Sequence, residues 1–329
     1  MNRRKTIYNQ SSAFLYRSFR LDPLSSLVAL MRPQAVVSKV VSGSGRWGVR
    51  YLRSTNAGFG MVMAGQCHIQ VGGCEPVELT EGDFILLPDG PGFVMLSDPD
   101  VEPEAMEICT TPATLAKTHF GPDTDEPDFR LLGGYFQFSA PNAEMLTQIM
   151  PGPIHIDSAN HSSRRIASTI GSLREEALDQ RPGRDLIMQR LVEVMLIEAL
   201  RYSSEQNGEP VRPGLLNALA DDRIGRALTR FHADVSRAWT VGSLAEEALL
   251  SRTAFSERFT RLVGMPPMAY LIKWRMAVAR DILHRERLPQ DAVAAAVGYQ
   301  SASAFSTAFR REVGQAPGEY ARANLALTA

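Results

Sequence analysis

The stretch from Ser251 to Tyr270 recurs fifty residues later, from Ser301 to Tyr320, with identity at 10 of 20 positions. The shared residues include Phe255/Phe305, Phe259/Phe309, Gly264/Gly314, Pro267/Pro317 and Tyr270/Tyr320. An exact spacing of this kind means that one small supersecondary unit is used twice. The C-terminal third of the chain must therefore fold as two copies of a module.

Each copy opens on a short Ala-rich segment, SLAEEAL at 243–249 and DAVAAAV at 291–297, whose small side chains permit a close helix crossing. A tight turn follows, Leu249-Leu250 in one copy and Gly298-Tyr299-Gln300 in the other. Ser251 and Ser301 are then placed to cap the next helix. Its apolar face reads Phe255, Phe259 and Leu262 in the first copy and Phe305, Phe309 and Val313 in the second, at helical spacing. The other face is polar and cationic. It carries Arg252, Thr253, Ser256, Glu257, Thr260 and Arg261 in one helix. In the other it carries Ser303, Ser306, Thr307, Arg310 and Arg311. Gly264 and Gly314 end these helices, and Pro267 and Pro317 fit the first turn of the next.

Between the copies, MAYLIKWRMAVARDILHRE at 268–286 reads as one periodic helix. At ~1.5 Å per residue it spans roughly 28 Å, close to the ~34 Å repeat of the DNA major groove. One strut can thus hold two polar-faced helices in successive groove segments. Charge agrees: residues 251–322 carry 11 Lys/Arg against 6 Asp/Glu, while the 219 residues before Ala220 carry 20 against 25. A generic helical bundle explains the phenylalanines, but gives no reason to repeat small helix, turn and polar-faced helix together.

These residues resemble the DNA-binding domain of the AraC/XylS family of bacterial transcription regulators. The resemblance rests on WTVGSLAEEALLSRTAFSERF, PPMAYLIKWRMAVARDIL and AVGYQSASAFSTAFRREVGQAPGEYAR. It implies two helix-turn-helix units joined by a long helix, with double-stranded promoter DNA as partner. Leu249 departs from the family, in which the first turn often has Gly or Ala.

Residues 36–110 alternate β-rich runs with turn signals such as Gly72-Gly73 and Pro88-Asp89-Gly90, the texture of a sandwich or barrel. With DPLSSLVALMRPQAVVS before them and EGDFILLPDGPGF within them, they resemble the cupin-type sensor found ahead of this DNA-binding domain in one branch of the family. Some cupins are metal-dependent dioxygenases. Here Phe93 stands where a metallo-cupin has a His, and none of the six histidines forms a His-x-His pair, so neither metal, cofactor nor catalytic residue is expected. Trp47, Phe59, Met61, Met63 and Phe93 are the candidate contacts for a small-molecule effector, which the shortage of charges predicts to be apolar or neutral.

In the Gly72-Gly73 hairpin, period two puts Cys67, Ile69, Val71 and Cys74 on the inward face. Cys67 and Cys74 would lie too far apart for a disulfide, so both read as small buried hydrophobes. Cys109 could pair with either, which keeps a redox-sensor reading open.

The expected architecture is α+β. The first 21 residues are expected to lack order, residues 22–155 form the cupin-like barrel, 160–206 a helical dimerisation segment, and 215–329 the double helix-turn-helix domain. Within the segment, DLIMQRLVEVMLIEALRY at 185–202 is apolar on more than one face, as expected of a homodimer contact. Without a signal peptide or a membrane-length apolar run, a cytoplasmic protein is expected. RNA polymerase is a further possible partner. Three readings compete: effector-responsive regulator, metal-dependent cupin enzyme and redox sensor.

Overall fold

The structure, a computed structural model, describes residues 22–54, 56–88, 90–106, 116–138, 152–158, 164–178, 181–205, 213–286 and 288–326. Cys109 and the first 21 residues lie outside these ranges. Contacts divide the chain into two compact units, one of strands with two helices and one whose described elements are all helices.

In the first unit, strands β1 (Pro33–Gly43), β3 (Ala57–Ala64), β6 (Phe84–Leu87), β9 (Ala116–Phe120), β10 (Phe129–Phe138) and β11 (Ile154–Ile156) form a sheet ordered β11-β6-β3-β10-β1-β9. A second sheet is ordered β5-β4-β7-β2-β8, from Val77–Thr80, Gln66–Val71, Phe93–Leu96, Gly48–Tyr51 and Glu104–Met106. Among the described residues these are two separate sheets, with no closed ladder of the expected barrel. Their inner faces share one core, in which Val41, Val62 and Leu131 of the first meet Val49, Ile69 and Met95 of the second. Alternation along β3 turns Phe59 the other way, onto Phe84 and Phe136 at ring distances of 6.3 and 5.2 Å. Asp83, buried beside β6, accepts from His155 Nε2 (3.0 Å) and from the Ser158 amide (2.8 Å), which ties β11 to this sheet. Burial alone would raise its pKa, but these hydrogen bonds outweigh it and hold the carboxyl down at about 2.

The Gly72-Gly73 turn forms, with positive φ at both glycines and the Cys74 amide donating to Val71 O. The ladder pairs Ile69 with Val77, so Cys74 belongs to the turn. Cys67 is fully buried as expected, whereas Cys74 is exposed rather than inward. Helix α2 (Arg164–Leu178) buries Ile166, Ile170 and Leu173. It packs on α3 (Arg184–Glu205), which lies against β1 and β11 and buries Met188, Val192, Met195 and Leu196.

The helical unit begins before the strands. Helix α1 (Pro23–Met31) starts on Asp22, whose carboxylate accepts from the Ser25 amide at 3.0 Å. Leu27, Leu30 and Met31 are fully buried. The remaining helices are α4 (Leu215–Ala220), α5 (Asp222–Ala233), α6 (Val241–Glu247), α7 (Arg252–Val263), α8 (Pro267–Arg285), α9 (Gln290–Ala296), α10 (Ala302–Val313) and α11 (Pro317–Ala326). Helix α1 packs on α5 and α8, and its terminal Arg32 forms an ion pair with the buried Asp281 of α8.

Candidate nucleic-acid interface and sheet cavity

The repeat in sequence is a repeat in geometry. Ser251 and Ser301 accept from the amides of Ala254 and Ala304 at 3.3 and 3.2 Å, capping α7 and α10. Phe255–Phe259 and Phe305–Phe309 both have ring centroids 5.5 Å apart. Tyr270 meets Phe259 edge-on at 5.7 Å, and Tyr320 meets Phe309 at 5.5 Å. Gly264 and Gly314 both have φ 85° and close the helices through bonds to Thr260 O and Arg310 O. The core face differs slightly from the sequence expectation. Val263 rather than Leu262 is buried in α7, and Val313 of α10 is half-buried while Ala308 is enclosed.

The two turns are also alike. In the first, Leu249 N donates to Glu246 O and Leu250 N to Ala245 O. In the second, Gly298 N donates to Ala295 O and Tyr299 N to Ala294 O. This is the Schellman arrangement, and it places Leu249 (φ 55°) and Gly298 (φ 79°) in the left-handed region. A side chain at 249 points into solvent, where Leu249 is 69% exposed. A Cβ at 298 would lie 2.6 Å from Ser236 O and 2.7 Å from Arg275 Nη2.

Of the eleven residues singled out on these helices, Arg252, Thr253, Glu257, Thr260 and Arg261 are exposed on α7, and Ser303, Thr307, Arg310 and Arg311 on α10. Ser256 and Ser306 are half-buried. The ion pairs among the described residues do not include Glu257 with Arg261, although the two stand four apart on one face. Arg311 bonds the neighbouring Glu312 at 2.9 Å. Thr307 donates to Ser303 O.

No local sequence signal indicates how Arg275 is used. From the middle of α8 its Nε and Nη2 donate to Val235 O at 3.1 and 3.0 Å, and Nη2 also to Arg237 O at 2.7 Å. Its guanidinium lies 6.0 Å from the Tyr299 ring. The strut is therefore fastened at one residue to the approach of the first unit and to the turn of the second. Nearby, His232 is buried, with Nε2 2.8 Å from Tyr270 Oη, and burial lowers its pKa to about 3.

A partly open pocket of about 70 Å³ lies between the sheets. Val41, Ile85, Leu87 and Leu131 form one wall, and Tyr51, Ile69, Phe93 and Met95 the other. Of the five effector contacts suggested by sequence, Phe93 lines it, and Phe59 borders it with its ring turned to Phe84 and Phe136 on the other face of the sheet. Trp47, Met61 and Met63 do not: Trp47 packs on Phe120 and Phe129, and Met61 is buried elsewhere. Lys39 lines the pocket, and sequence reasoning passed over it, although alternation from the inward Val41 indicates its direction. Among the described residues no group of three His, Cys, Asp or Glu side chains is arranged to hold a metal ion. Burial, aided by the charge of Asp83, pushes the Cys67 thiol up to about 12 and makes it a poor nucleophile.

A cupin-like sheet unit joined to paired helix-turn-helix units defines a DNA-binding transcription regulator. Residues 22–205 match the cupin family, and residues 244–323 match a helix-turn-helix domain family. A protein of Streptomyces lividans described as an AraC-like transcription regulator is 32% identical over 301 residues, 91% of this chain and 98% of that one. A like-named protein of Streptomyces antibioticus is 32% identical over 303 residues, again 91% and 98%. Among solved structures, the DNA-binding domain of AdpA in complex with a target DNA aligns at 30% identity, covering 32% of this chain and 96% of that chain, with a TM-score of 0.31. The chain belongs to the AraC family of transcription regulators, with a cupin-like N-terminal domain. No helix among the described residues is long and apolar enough to cross a membrane.

Proposed function

We propose that this regulator reads promoter DNA by laying α7 and α10 in successive major-groove segments. The observation that carries this is the duplicated geometry, in which cap, turn and aromatic core agree between the two units and each leaves a polar, cationic face exposed. Thr253, Glu257, Ser303 and Thr307 lie in the first halves of their helices, the halves that reach base edges. Arg252, Arg261, Arg310 and Arg311 serve phosphates, with Ser256, Thr260 and Ser306 as supporting contacts. Displacing Glu312 from Arg311 costs little, since an exposed pair is worth ~0–1 kcal/mol.

Glu257 decides the reading. Phosphate repels a carboxylate, which belongs here if it accepts from cytosine N4, and the missing pair with Arg261 favours that role. Selection on randomised operators with the full chain tests it. Glu257→Ala should relax preference at one base pair by ~1–3 kcal/mol. Arg311→Ala should weaken binding to all sequences alike and flatten the salt dependence. An unchanged base preference for the Glu257 variant would refute base reading by this residue.

The rest of the proposal concerns control. Residues 22–155 act as a sensor without catalysis, 160–206 as a dimerisation segment and 215–329 as the reader of DNA. A small-molecule effector occupies the sheet pocket and alters how the DNA-binding helices are presented. The protein works in the cytoplasm as a homodimer, at promoters where RNA polymerase is its further partner. The exposed Ile187 and Val194, with half-buried Leu191 between them, form the apolar stripe on α3 that supports dimerisation.

A further inference from the structure

The two reading helices share their caps and aromatic cores but not their supports. The described chain resumes at Pro213, and the next residue, Gly214, donates its amide to Leu262 O at 2.9 Å. That carbonyl belongs to the last turn of α7, where four carbonyls have no partner within the helix. A Cβ at Gly264 would lie 3.0 Å from Pro213 Cβ, whereas one at Gly314 meets nothing within 4 Å. Helix α4, with Leu215 and Leu216 buried, packs on α7 and leads into Asp221. One carboxylate oxygen of Asp221 accepts from the amides of Ile224 at 2.9 Å and Arg223 at 3.1 Å, capping α5. The other accepts from Arg258 of α7, through Nε at 2.8 Å and through Nη2. Burial alone would raise the Asp221 pKa, but these bonds outweigh it and hold the carboxyl below its ordinary value, so the pair is charged at neutral pH. At the matching position of α10 stands Ala308, which has no group to pair.

We propose that Pro213–Asp221 is the positioning element of α7, with Arg258 its anchor, so that the tilt of the first reading helix is set from outside its helix-turn-helix unit while that of the second is not. The inference rests on the reading of DNA by α7 and α10 proposed above. Arg258 and Leu262 stand four residues apart, one turn and about 6 Å along the axis. Two fastenings at that separation fix a direction, where one would leave a pivot. At 100° per residue the Arg258 side chain leaves α7 about 100° or more round from Thr253, Glu257 and Thr260. It therefore acts from behind the reading face. Side chains that must meet their partners to within about 0.5 Å need such support from the residues around them.

The test is selection on randomised operators with the full chain, scored separately for the two contacted segments. Thr253→Ala and Ser303→Ala assign the segments to α7 and α10. Arg258→Met should lower the preferences in the α7 segment by about fivefold or more, the lower end of one base contact, and leave the α10 segment unchanged. Asp221→Asn, which keeps an oxygen for the α5 amides and loses only the charge, should do the same from a site off α7. The double variant should be no worse than either single, as for two residues that act as one pair. A merely structural loss would lower both segments together. Should Arg258→Met fail to fold by circular dichroism, Asp221→Asn carries the test. Equal loss in both segments, no loss in the α7 segment, or additive losses would each overturn the proposal. A parent chain that selects no sequence at all would sink the reading of DNA, and the positioning role with it.

Discussion

Arg275 is the residue at which the spacing of the two reading helices can be perturbed without touching either. Arg275→Met keeps an apolar stem on α8 and removes every hydrogen bond the guanidinium makes. The two bonds to Val235 O converge on one partly buried acceptor and together count as a single charge-assisted hydrogen bond, ~2 kcal/mol. The bond to Arg237 O lies nearer solvent and adds about 0.5–1 kcal/mol. The ring contact with Tyr299, at 6.0 Å, is at the limit of useful cation–π range and adds little. The variant should therefore lose about 2–3 kcal/mol in urea unfolding followed by far-UV circular dichroism. It should also lose discrimination between operators whose two contacted segments are moved one base pair closer or farther, because the fastening between strut and units is gone. A loss below about 0.5 kcal/mol, within the spread of ordinary surface changes, together with unaltered spacing preference, would refute the role assigned to Arg275.

Three further outcomes follow from local geometry. Leu249→Gly should be more stable than Leu249→Ala by ~1 kcal/mol, since only glycine relieves left-handed strain at φ 55°; coincident urea midpoints would mean the turn is not strained. Because the folded pKa of His232 is about 3 against 6.5 for the free side chain, the unfolded chain takes up the proton first as pH falls, and stability should drop by up to ~1.4 kcal/mol per unit below 6.5. His232→Gln should flatten that slope, and equal slopes for the two proteins would contradict the assignment. Sedimentation of Ile187→Glu and Val194→Glu should show weakened association of a folded chain, whereas Met195→Glu should unfold it, because Met195 is fully enclosed in its own protomer; a parent protein already monomeric at micromolar concentration would remove α3 as an interface.

The helical unit was the more legible half, for physical reasons. Helix period, serine caps and glycine stops are local signals, and they located α7, α8 and α10 to within a residue or two. The choice between Leu262 and Val263 depends on what packs opposite, which local pattern does not contain. Arg275 escaped notice because its acceptors are backbone carbonyls some 40 residues away, and a carbonyl leaves no mark in sequence. Helix α1 carries the apolar face of any docking helix, and nothing local says that α5 and α8 receive it. In the sheets, alternation puts Cys67 and Ile69 inward correctly, but the ladder ends at Ile69 and Val77, which leaves Cys74 in the turn and exposed. Trp47, Met61 and Met63 were chosen for size, and size does not distinguish a pocket wall from the filled core beside it. Lys39 was missed for the opposite reason, since a lysine in a strand is ordinarily taken as solvated.

The two modules are alike enough to tempt exchange, and the structure makes that exchange directional. At 249 the chain leaves room for any side chain that can bear the backbone twist, whereas at 298 the Ser236 carbonyl and the Arg275 guanidinium already fill the space where a side chain would begin. A glycine moved from 298 to 249 meets no steric barrier, since Leu249 is exposed; the reverse move, a leucine at 298, drives a side chain into the backbone and loosens the arginine that holds the strut. Tolerance to substitution should therefore be broad at one turn and nearly absent at its twin, although both draw the same hydrogen bonds.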